Sequence, residues 1–178
     1  MELRGERLDE VVISVPFSSR RSAAGAELGN CSGVIPLSVP ANGDRLDRLD
    51  AVAAITRAAT FTNRAASTAI LGPTFRGLAR IDACQWFIDR QRMIHTIAST
   101  VHGPEAPILL VECEVTRIVP LGVPSGNLSV TFAVVTYAGS LAITRVSDPD
   151  VYPDVRMLRA LLIEELRVYS SFRHSTNT

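Results

Sequence analysis

The sequence predicts an α/β sandwich, an α+β fold in which one mixed, largely antiparallel sheet carries helices packed on a face. Runs of β-branched and aromatic residues bounded by Pro, Gly and Asn predict strands, and longer stretches with apolar residues three and four positions apart predict amphipathic helices. The 178 residues suffice for one domain with a core. The predicted order is two strands, two helices, four strands and a helix, which builds one sheet with helices on it.

The N-terminal region is predicted to form two strands. The segment "VVISVPF" at 11–17 is rich in β-branched residues, and "CSGVIPLSVP" at 31–40 follows after a loop. Pro36 has no N–H to donate to a ladder, so the second strand is expected to lie at an edge or to be bulged there.

Two helices are predicted next. Residues 41–67 give the stronger pattern, because Asp44, Asp47 and Asp50 suit the positive end of a helix. Its apolar stripe, which is expected to pack on the sheet, comprises Leu46, Leu49, Val52 or Ala53, Ile55 and Ala59. Residues 75–93 predict a second helix, weakened by Gly77.

The C-terminal half is predicted to hold four strands and a helix. Residues 95–115 predict a strand, a Gly-Pro turn and a second strand, and the turn 138–140 predicts a hairpin into 141–146. Leu128, Val130, Phe132 and Val134 alternate onto one face of the strand before that turn. Because both faces of this pair carry apolar residues, the pair is expected to be central. Residues 152–172 predict the last helix, with Pro153 and Asp154 at its start and the stripe Val155, Leu158, Leu161, Leu162, Leu166 and Tyr169.

The composition excludes several classes of protein. With 47% hydrophobic and 20% charged residues the chain is not a disordered one. The 18 basic residues, all Arg, balance 18 acidic ones, and aromatics make up 6%, so no nucleic-acid partner is expected. Cys31, Cys84 and Cys113 lack metal-ligand spacing and are expected to be buried free thiols in the cytoplasm. No apolar run approaches the roughly 20 residues of a membrane helix, while contact with a membrane surface stays open.

Common catalytic motifs are absent from the sequence: it contains no GxSxG, GxGxxG, GxxxxGK[ST] or HExxH. The acidic cluster Asp148, Asp150 and Asp154 fits helix-start residues better than a cation site, so no metal site is expected.

Three histidines could serve as general bases. His95 is expected to be a half-buried, hydrogen-bonded ring at a strand start, and His174 belongs to the tail. His102 is the one contender, because it lies at a strand end with Glu105 close by. Ser99 and Thr100 beside it could donate hydrogen bonds to a ligand oxygen. A polar residue that only shapes the turn is the alternative, and the residues alone give no complete catalytic set.

Several segments, taken in order, resemble a known family. They are "VVISVPFSSRR", Gly29-Asn30 with "GVIPLSVP", "DRLDRLDAV", "ASTVHGPEAPI", "LSVTFAVVTYAGSLAITRVSD" and "YPDVRML". Together they resemble the C-terminal domain of the bacterial wax ester synthase/acyl-CoA:diacylglycerol acyltransferase family, over nearly the whole chain. The Arg-rich and Ala-rich composition also looks like that of a high-GC actinobacterial protein.

The resemblance implies the C-terminal half of an enzyme similar in fold to chloramphenicol acetyltransferase, with the active site in a tunnel between two halves. In the family, a histidine of the HHxxxDG motif in the N-terminal half takes the proton from an alcohol or diacylglycerol hydroxyl, which attacks the acyl-CoA thioester. This sequence has no HHxxxDG. Residues 1–178 are therefore expected to be a single domain without the catalytic one, with no catalytic residue, no bound cofactor and acyl-CoA as co-substrate.

At the corner formed by residues 99–104, the family typically has a sequence like S-N-V-P-G-P. Here Thr100 stands in place of Asn and His102 in place of Pro. Thr100 could keep one hydrogen bond but not the paired donor and acceptor of an amide. The residues for which the resemblance implies contacts with substrate, tunnel or interface are Gly29, Asn30, Ser99, Thr100, His102, Gly103 and Pro104.

The leading hypothesis is a tunnel-wall half of an O-acyltransferase of triacylglycerol or wax ester synthesis, inactive without its HHxxxDG half and peripheral to membranes or lipid bodies. Its expected partners are that half or a homologous acyltransferase, a second copy, or a lipid surface. The alternative is a non-catalytic lipid-binding, CoA-binding or protein-interaction module, since a half-enzyme exposes an apolar face. A third hypothesis makes His102 a replacement base oriented by Glu105.

Overall fold

A computed structural model describes residues 8–18, 32–62 and 77–175. The chain divides into two compact units, Met1–Val146 and Ser147–Thr178. The elements in chain order are β1 (Glu10–Ser18), β2 (Ser32–Pro40), α1 (Arg45–Thr62), α2 (Cys84–Arg90), β3 (Thr96–His102), β4 (Leu109–Leu110), β5 (Cys113–Glu114), β6 (Val130–Tyr137), β7 (Ser140–Ser147) and α3 (Val155–Ser175).

The main sheet has five strands in the order β2-β1-β3-β6-β7. The β1–β2 pair is antiparallel, and the β1–β3 and β3–β6 pairs are parallel. Strands β6 and β7 are joined by the two residues Ala138 and Gly139, which makes them antiparallel, and both residues have positive φ as a type I′ turn requires. The sheet is therefore mixed, as predicted.

Strand β2 lies at one end of the strand order, which confirms the edge position predicted from Pro36. The ladder with β1 runs without interruption from Glu10 opposite Pro40 to Ser18 opposite Ser32, and Pro36 faces Ser14 within it. The predicted alternative, a bulge at Pro36, is not formed. An edge strand has one side free of ladder bonds, so a missing N–H there costs no pairing.

The core of the first unit lies where α1 packs on β2. Asp44 caps α1, because its carboxylate accepts a hydrogen bond from the Leu46 N–H at 2.9 Å. Buried apolar side chains form one cluster with partly buried ones from β1 and α1; the buried members are Ile35, Leu37, Val39 and Ala59, and the others are Val11, Ile13, Val15, Phe17, Val52 and Ile55. The predicted packing of α1 on the sheet is confirmed for this part of its stripe.

The N-terminal part of the predicted α1 stripe is wrong, because Leu46 and Leu49 are exposed. Steps of three residues fall behind the helical turn, so these two side chains point about 150° and 90° away from the direction shared by Val52, Ile55 and Ala59. The apolar spacing was compatible with a helix, but it did not keep all members on one side.

The predicted helix over 75–93 is interrupted. Residues 77–80 are helical, and α2 begins as a separate helix at Cys84. Between them Asp82 adopts φ 54°, the Asp82 N–H donates to the Ala79 carbonyl at 3.3 Å, and the Ala83 N–H donates to the Leu78 carbonyl at 2.9 Å. This pair of bonds is a Schellman ending with Asp in the left-handed position. The break is therefore set by Asp82 and not by Gly77.

The second strand predicted in 95–115 does not join the main sheet. Its residues form the short β4–β5 hairpin, with Leu109 opposite Glu114. Strand β6 takes the place beside β3 instead, from Ile97 opposite Thr131 to His102 opposite Thr136. An apolar run fits both outcomes, and the parallel β3–β6 pairing decides between them.

The central position predicted for the β6–β7 pair holds for β6 alone, because β7 ends the strand order. The more buried face of β6 is also the one opposite to the predicted alternation, with Thr131, Ala133, Val135 and Tyr137 buried and the residues between them half-buried. A loop, described below, covers the face that carries these four buried side chains, and this accounts for the difference.

The second unit consists mainly of α3. The Asp154 carbonyl accepts the first helical bond, from the Leu158 N–H at 3.1 Å. Asp148 accepts hydrogen bonds from the Asp150 N–H through its carboxylate at 2.9 Å and from the Tyr152 N–H through its carbonyl at 2.8 Å, so it stabilises the turn before the helix. The predicted stripe is wrong for Leu161 and Leu166, which flank it and are exposed, while its other members are half-buried.

The cysteine prediction needs a correction. Both cysteines in the described residues are free thiols, as expected, but Cys113 is exposed and Cys84 only half-buried. Cys113 is exposed because the hairpin that carries it stands outside the main sheet. Cys31 lies outside the described residues. Among the helices of the described ranges, none combines the length and apolar character of a membrane span.

Candidate functional site

The polar corner predicted from the sequence lies at the end of β3. Its residues are fixed by the parallel ladder with β6, in which Ser99 faces Ala133, Thr100 faces Val134 and His102 faces Thr136. Because alternate side chains of a strand point to opposite faces, Thr100 and His102 share one face and Ser99 lies on the other. The structure therefore brings together two of the three polar side chains of the corner.

The two faces of the sheet differ in what covers them. Thr96 pairs with Ile13, which pairs with Leu37, so Thr100 and His102 continue the face against which α1 packs; we call this the helix-side face. Ser99 lies on the opposite face with Ser14 and Thr131, which are both 2% exposed. We call this second surface the loop-side face, because the segment 104–127 covers its β6 part.

His102 is exposed at the strand end and so is Thr100. Glu105 borders a cleft whose lining does not include His102. Within the described residues, no hydrogen bond or ion pair joins His102 to Glu105. A general base needs an orienting partner and a position next to the hydroxyl that it deprotonates, and in this structure Glu105 does not orient His102.

Gly103 and Pro104 attach the corner to the neighbouring hairpin. The Gly103 N–H donates to the Thr136 carbonyl at 2.9 Å, and the Ala138 N–H donates to the Pro104 carbonyl at 3.0 Å. A Cβ at position 103 would lie 2.5 Å from the Thr136 carbonyl oxygen. Only glycine lets the backbone leave β3 so close to β6, which gives this residue a structural role independent of any ligand.

An open cleft of about 280 Å³ lies beside the corner. Its lining combines the Gly-Pro turn with the β6–β7 turn and consists of Gly103, Pro104, Glu105, Thr136, Tyr137, Ala138, Gly139, Ser140 and Leu141. Glu105 is the one charged residue in this set. The cleft therefore offers hydroxyl and backbone groups together with a single carboxylate.

Tyr137 organises the segment that follows the corner, and sequence reasoning missed it. The side chain is 4% exposed, and its hydroxyl accepts the Ile108 N–H at 2.9 Å and donates to the Val115 carbonyl at 2.6 Å. One phenol thus holds both legs of the β4–β5 hairpin. The available signal was the parity of Tyr137 with Thr131, Ala133 and Val135, since a buried Tyr needs a hydrogen-bond partner.

Polar side chains also fix the loop that leads into β6. The Thr131 hydroxyl donates to the Gly122 carbonyl at 3.1 Å, and the Thr144 hydroxyl bonds the Pro120 carbonyl. At the start of β6, Gln91 donates to the Asn127 carboxamide oxygen at 2.8 Å, while Asn127 donates back to the Gln91 carbonyl. These contacts keep residues 116–129 on β6 and β7 without an apolar core of their own.

His95 has the structural role expected of it. The ring Nδ1 accepts a hydrogen bond from the Val12 N–H at 2.9 Å, and the His95 backbone N–H donates to the Val12 carbonyl at 2.9 Å. The ring is exposed rather than half-buried, because it lies just before β3 begins. Gly29 and Asn30 lie outside the described residues. In the ranges that are described, no group of three or more His, Cys, Asp or Glu could hold a metal ion.

Comparison with solved structures finds the fold of this chain in a larger acyltransferase. The wax ester synthase/diacylglycerol acyltransferase from Marinobacter aquaeolei VT8 superposes with a TM-score of 0.57 at 15% identity, over 89% of this chain and 36% of that one. The starter condensation domain of the rhizomide synthetase RzmA gives a TM-score of 0.49 at 16% identity, over 83% of this chain and 32% of that one. The chain thus spans little more than a third of the length of the acyltransferase.

Comparison with curated protein sequences finds no match. A family model does match: the model of the WS/DGAT C-terminal domain covers residues 28–169. This range includes every element from β2 to most of α3 and agrees with the resemblance found in the sequence. The chain therefore belongs to the family of WS/DGAT C-terminal domains.

Proposed function

We propose that this chain is the C-terminal, tunnel-wall half of an acyl-CoA-dependent O-acyltransferase that makes triacylglycerol or wax esters. The observation that carries the proposal is the family match over residues 28–169. In the proposed reaction, a base in an HHxxxDG-bearing half takes the proton from an acceptor hydroxyl. That oxygen attacks the thioester carbonyl, and the ester forms as the CoA thiolate leaves and takes up a proton.

The contribution proposed for this chain is binding and positioning. Thr100 and His102 are exposed on the helix-side face at the end of β3, where a ligand or a partner domain can reach them. The Thr100 hydroxyl can donate one hydrogen bond to a carbonyl oxygen of acyl-CoA, and the His102 ring can pack against the acyl chain or against the partner domain. Acyl-CoA is the proposed co-substrate, and Gly29 and Asn30 are proposed to line the same tunnel or interface.

We propose further that the chain does not turn over alone. His102 is the one histidine at the corner, and Glu105 does not orient it. A nucleophilic hydroxyl would also need an adjacent base, and Ser99 lies on the face opposite to His102. The corner therefore supplies a surface for chemistry that another polypeptide segment performs.

The test mixes the purified chain with acyl-CoA and either diacylglycerol or a long-chain alcohol. Labelled ester should be followed directly, because the exposed Cys113 thiol would react with reagents that detect released CoA. We expect no ester above the level of a heat-unfolded sample, and ester formation when an HHxxxDG-bearing half is added. Robust ester formation by this chain alone would contradict the proposal, and its loss in His102→Ala would favour His102 as a replacement base.

A second candidate function is a non-catalytic interaction module that binds a lipid, a CoA thioester or another acyltransferase. The observation that favours it is the group of exposed apolar side chains at 109–111. Flotation with lipid vesicles and equilibrium binding of acyl-CoA distinguish the two candidates. Tight lipid binding without any ester in the presence of an HHxxxDG half supports the module, whereas restored ester synthesis supports the tunnel wall. Placement at a membrane or lipid-body surface is part of both proposals.

A further inference from the structure

The β4–β5 hairpin exposes an apolar tip. Leu109, Leu110 and Val111 are 72%, 68% and 89% exposed, and Glu112 and Glu114 follow them. Val111 and Glu112 occupy the turn with φ of 50° and 66°. A β-branched residue is strongly disfavoured in this left-handed region, so Val111 is both strained and exposed to water. We call residues 109–114 the apolar tip.

Two exposed apolar side chains lie on α2 and just after it, and two arginines accompany them. Trp86 is 59% exposed, and the Arg90 guanidinium lies 5.5 Å from the centroid of its ring. Arg92 and the 62% exposed Met93 follow just after the helix. We call these four residues the Trp86 patch. Asp89 is the neighbouring acid, and its carboxylate accepts a hydrogen bond from Gln85 at 2.8 Å.

We propose that the apolar tip of one copy of this chain docks on the Trp86 patch of a second copy. Both surfaces are exposed, so neither covers the other within a single chain. The carboxylates of the tip would meet the guanidinium groups of the patch, whereas tip against tip or patch against patch would bring like charges together. The same carboxylates oppose docking of the tip on an anionic lipid surface.

Two features favour this contact. Trp and Arg are the residue types that most often dominate interface energies, and the patch presents both side by side. The base of the hairpin is already fixed by the Tyr137 hydroxyl, which bonds the Ile108 N–H and the Val115 carbonyl, so docking orders few additional residues. The contact joins two different surfaces, so further copies can add to each complex and its size grows with concentration. A two-fold arrangement that uses both surfaces of each copy would instead stop at a dimer.

The test uses the wild-type chain across a concentration series. Trp86 is the single tryptophan, so its emission reports directly on the patch. We expect the mass from light scattering to rise above that of the monomer with concentration, and the Trp86 emission to shift to the blue in parallel. Salt should weaken both effects, because exposed charges are screened. A monomer at all concentrations with unchanged emission overturns the proposal.

Three variants locate the contact. Arg90→Glu and Glu112→Arg should each weaken association roughly tenfold or more, and an equimolar mixture of the two should restore it because opposite charges then face each other again. Arg57→Glu, an exposed position on α1, is the matched control and should leave association unchanged. Equal effects of Arg57→Glu and Arg90→Glu, or no restoration in the mixture, would overturn the proposed contact.

A fourth variant separates docking from folding. Val111→Asn combined with Glu112→Gly creates Asn-Gly, the preferred sequence for a turn with two positive φ angles. The hairpin should be at least as stable as before, while the most exposed apolar side chain of the tip, Val111, and the carboxylate of Glu112 are lost. We expect association to fall at least tenfold with the melting temperature kept or raised. Unchanged association would show that the tip is not the docking surface.

Discussion

Two regions of the same sheet are covered in different ways. Over β1 and β2, α1 packs with apolar side chains, and the buried members Ile35, Leu37 and Val39 come from one strand. Over β6, the segment 104–127 has little regular structure and is held by polar anchors, chief among them Tyr137 and Thr131. The first region buries one apolar cluster between α1 and the two strands, and the second exposes several of its apolar residues.

The difference follows from backbone hydrogen bonding. A helix satisfies most of its own peptide groups and can pack an apolar stripe onto a sheet, whereas a loop must find partners for its backbone in neighbouring strands, side chains or water. A few such anchors fix the position of the loop without burying its apolar residues. We therefore expect the helix-covered region to unfold with the whole unit and the loop-covered region to open locally.

Leu37→Ala should give the largest effect, because it breaks the helix-covered region. Leu37 is 7% exposed inside the α1–β2 cluster, and its truncation removes apolar contacts and leaves a cavity. We expect a loss of about 3 kcal/mol in the free energy of unfolding. Denaturant titration measures it, with Val123→Ala in the exposed loop as the control, which should cost less than about 0.5 kcal/mol. A loss for Leu37→Ala similar to that of the control would contradict the assignment of the core.

Gly103→Ala tests the junction between the two regions. The new Cβ would lie 2.5 Å from the Thr136 carbonyl oxygen, so β3 and β6 must move apart at the corner. We expect a loss of about 2 kcal/mol in the free energy of unfolding.

Gly77→Ala is the matched control for Gly103→Ala, because Gly77 is helical and its Cβ would meet nothing within 4 Å. It should raise the free energy of unfolding by about 0.5 kcal/mol or more through helix propensity. Equal responses of the two glycines would mean that Gly103 is not needed for the corner.

The helix-covered region could be predicted from the sequence because its signals are local. β-branched runs gave β1 and β2, the missing N–H of Pro36 gave the edge, and Asp44 with the apolar spacing gave α1. The direction of Leu46 and Leu49 was missed because successive steps of three residues rotate away from one side of the helix, and the spacing alone does not show this. The break at Asp82 was missed because it depends on bonds back to Leu78 and Ala79.

The loop-covered region could be predicted only in part. The corner at the end of β3 was expected, and strand alternation alone separates Ser99 from Thr100 and His102. Which face of the sheet each of them lies on depends on pairing with β1 and β6, and the β6 partners are more than 30 residues away in the chain. The apolar run at 108–115 has the composition of a strand, and nothing local reveals that another strand occupies the place beside β3. Tyr137 was missed for the same reason, since its partners come from distant residues.

Tyr137→Phe should separate local from global stability. It removes the hydroxyl that holds the Ile108 N–H and the Val115 carbonyl, both of which water can reach once the segment opens. We expect a cost of about 1 kcal/mol, confined to this segment. Hydrogen exchange at the Ile108 amide should become several-fold faster while amides of β1 and β2 keep their rates. Equal acceleration across both regions would show that the segment does not open independently.

Ala138→Asn should give the smallest effect and the opposite sign. Ala138 adopts φ 46° before Gly139 at φ 73°, so the turn requires left-handed conformations that Asn tolerates better than Ala. We expect a gain of about 0.5–1 kcal/mol in the free energy of unfolding. The same replacement at exposed Ala160 of α3 should instead lower stability, since Asn is a poorer helix former. Because the Ala138 N–H bonds the Pro104 carbonyl, the more rigid turn should also slow exchange at the corner while leaving the α1–β2 amides unchanged. A loss of stability at Ala138 would mean that its contact with Pro104, and not its backbone angle, governs this turn.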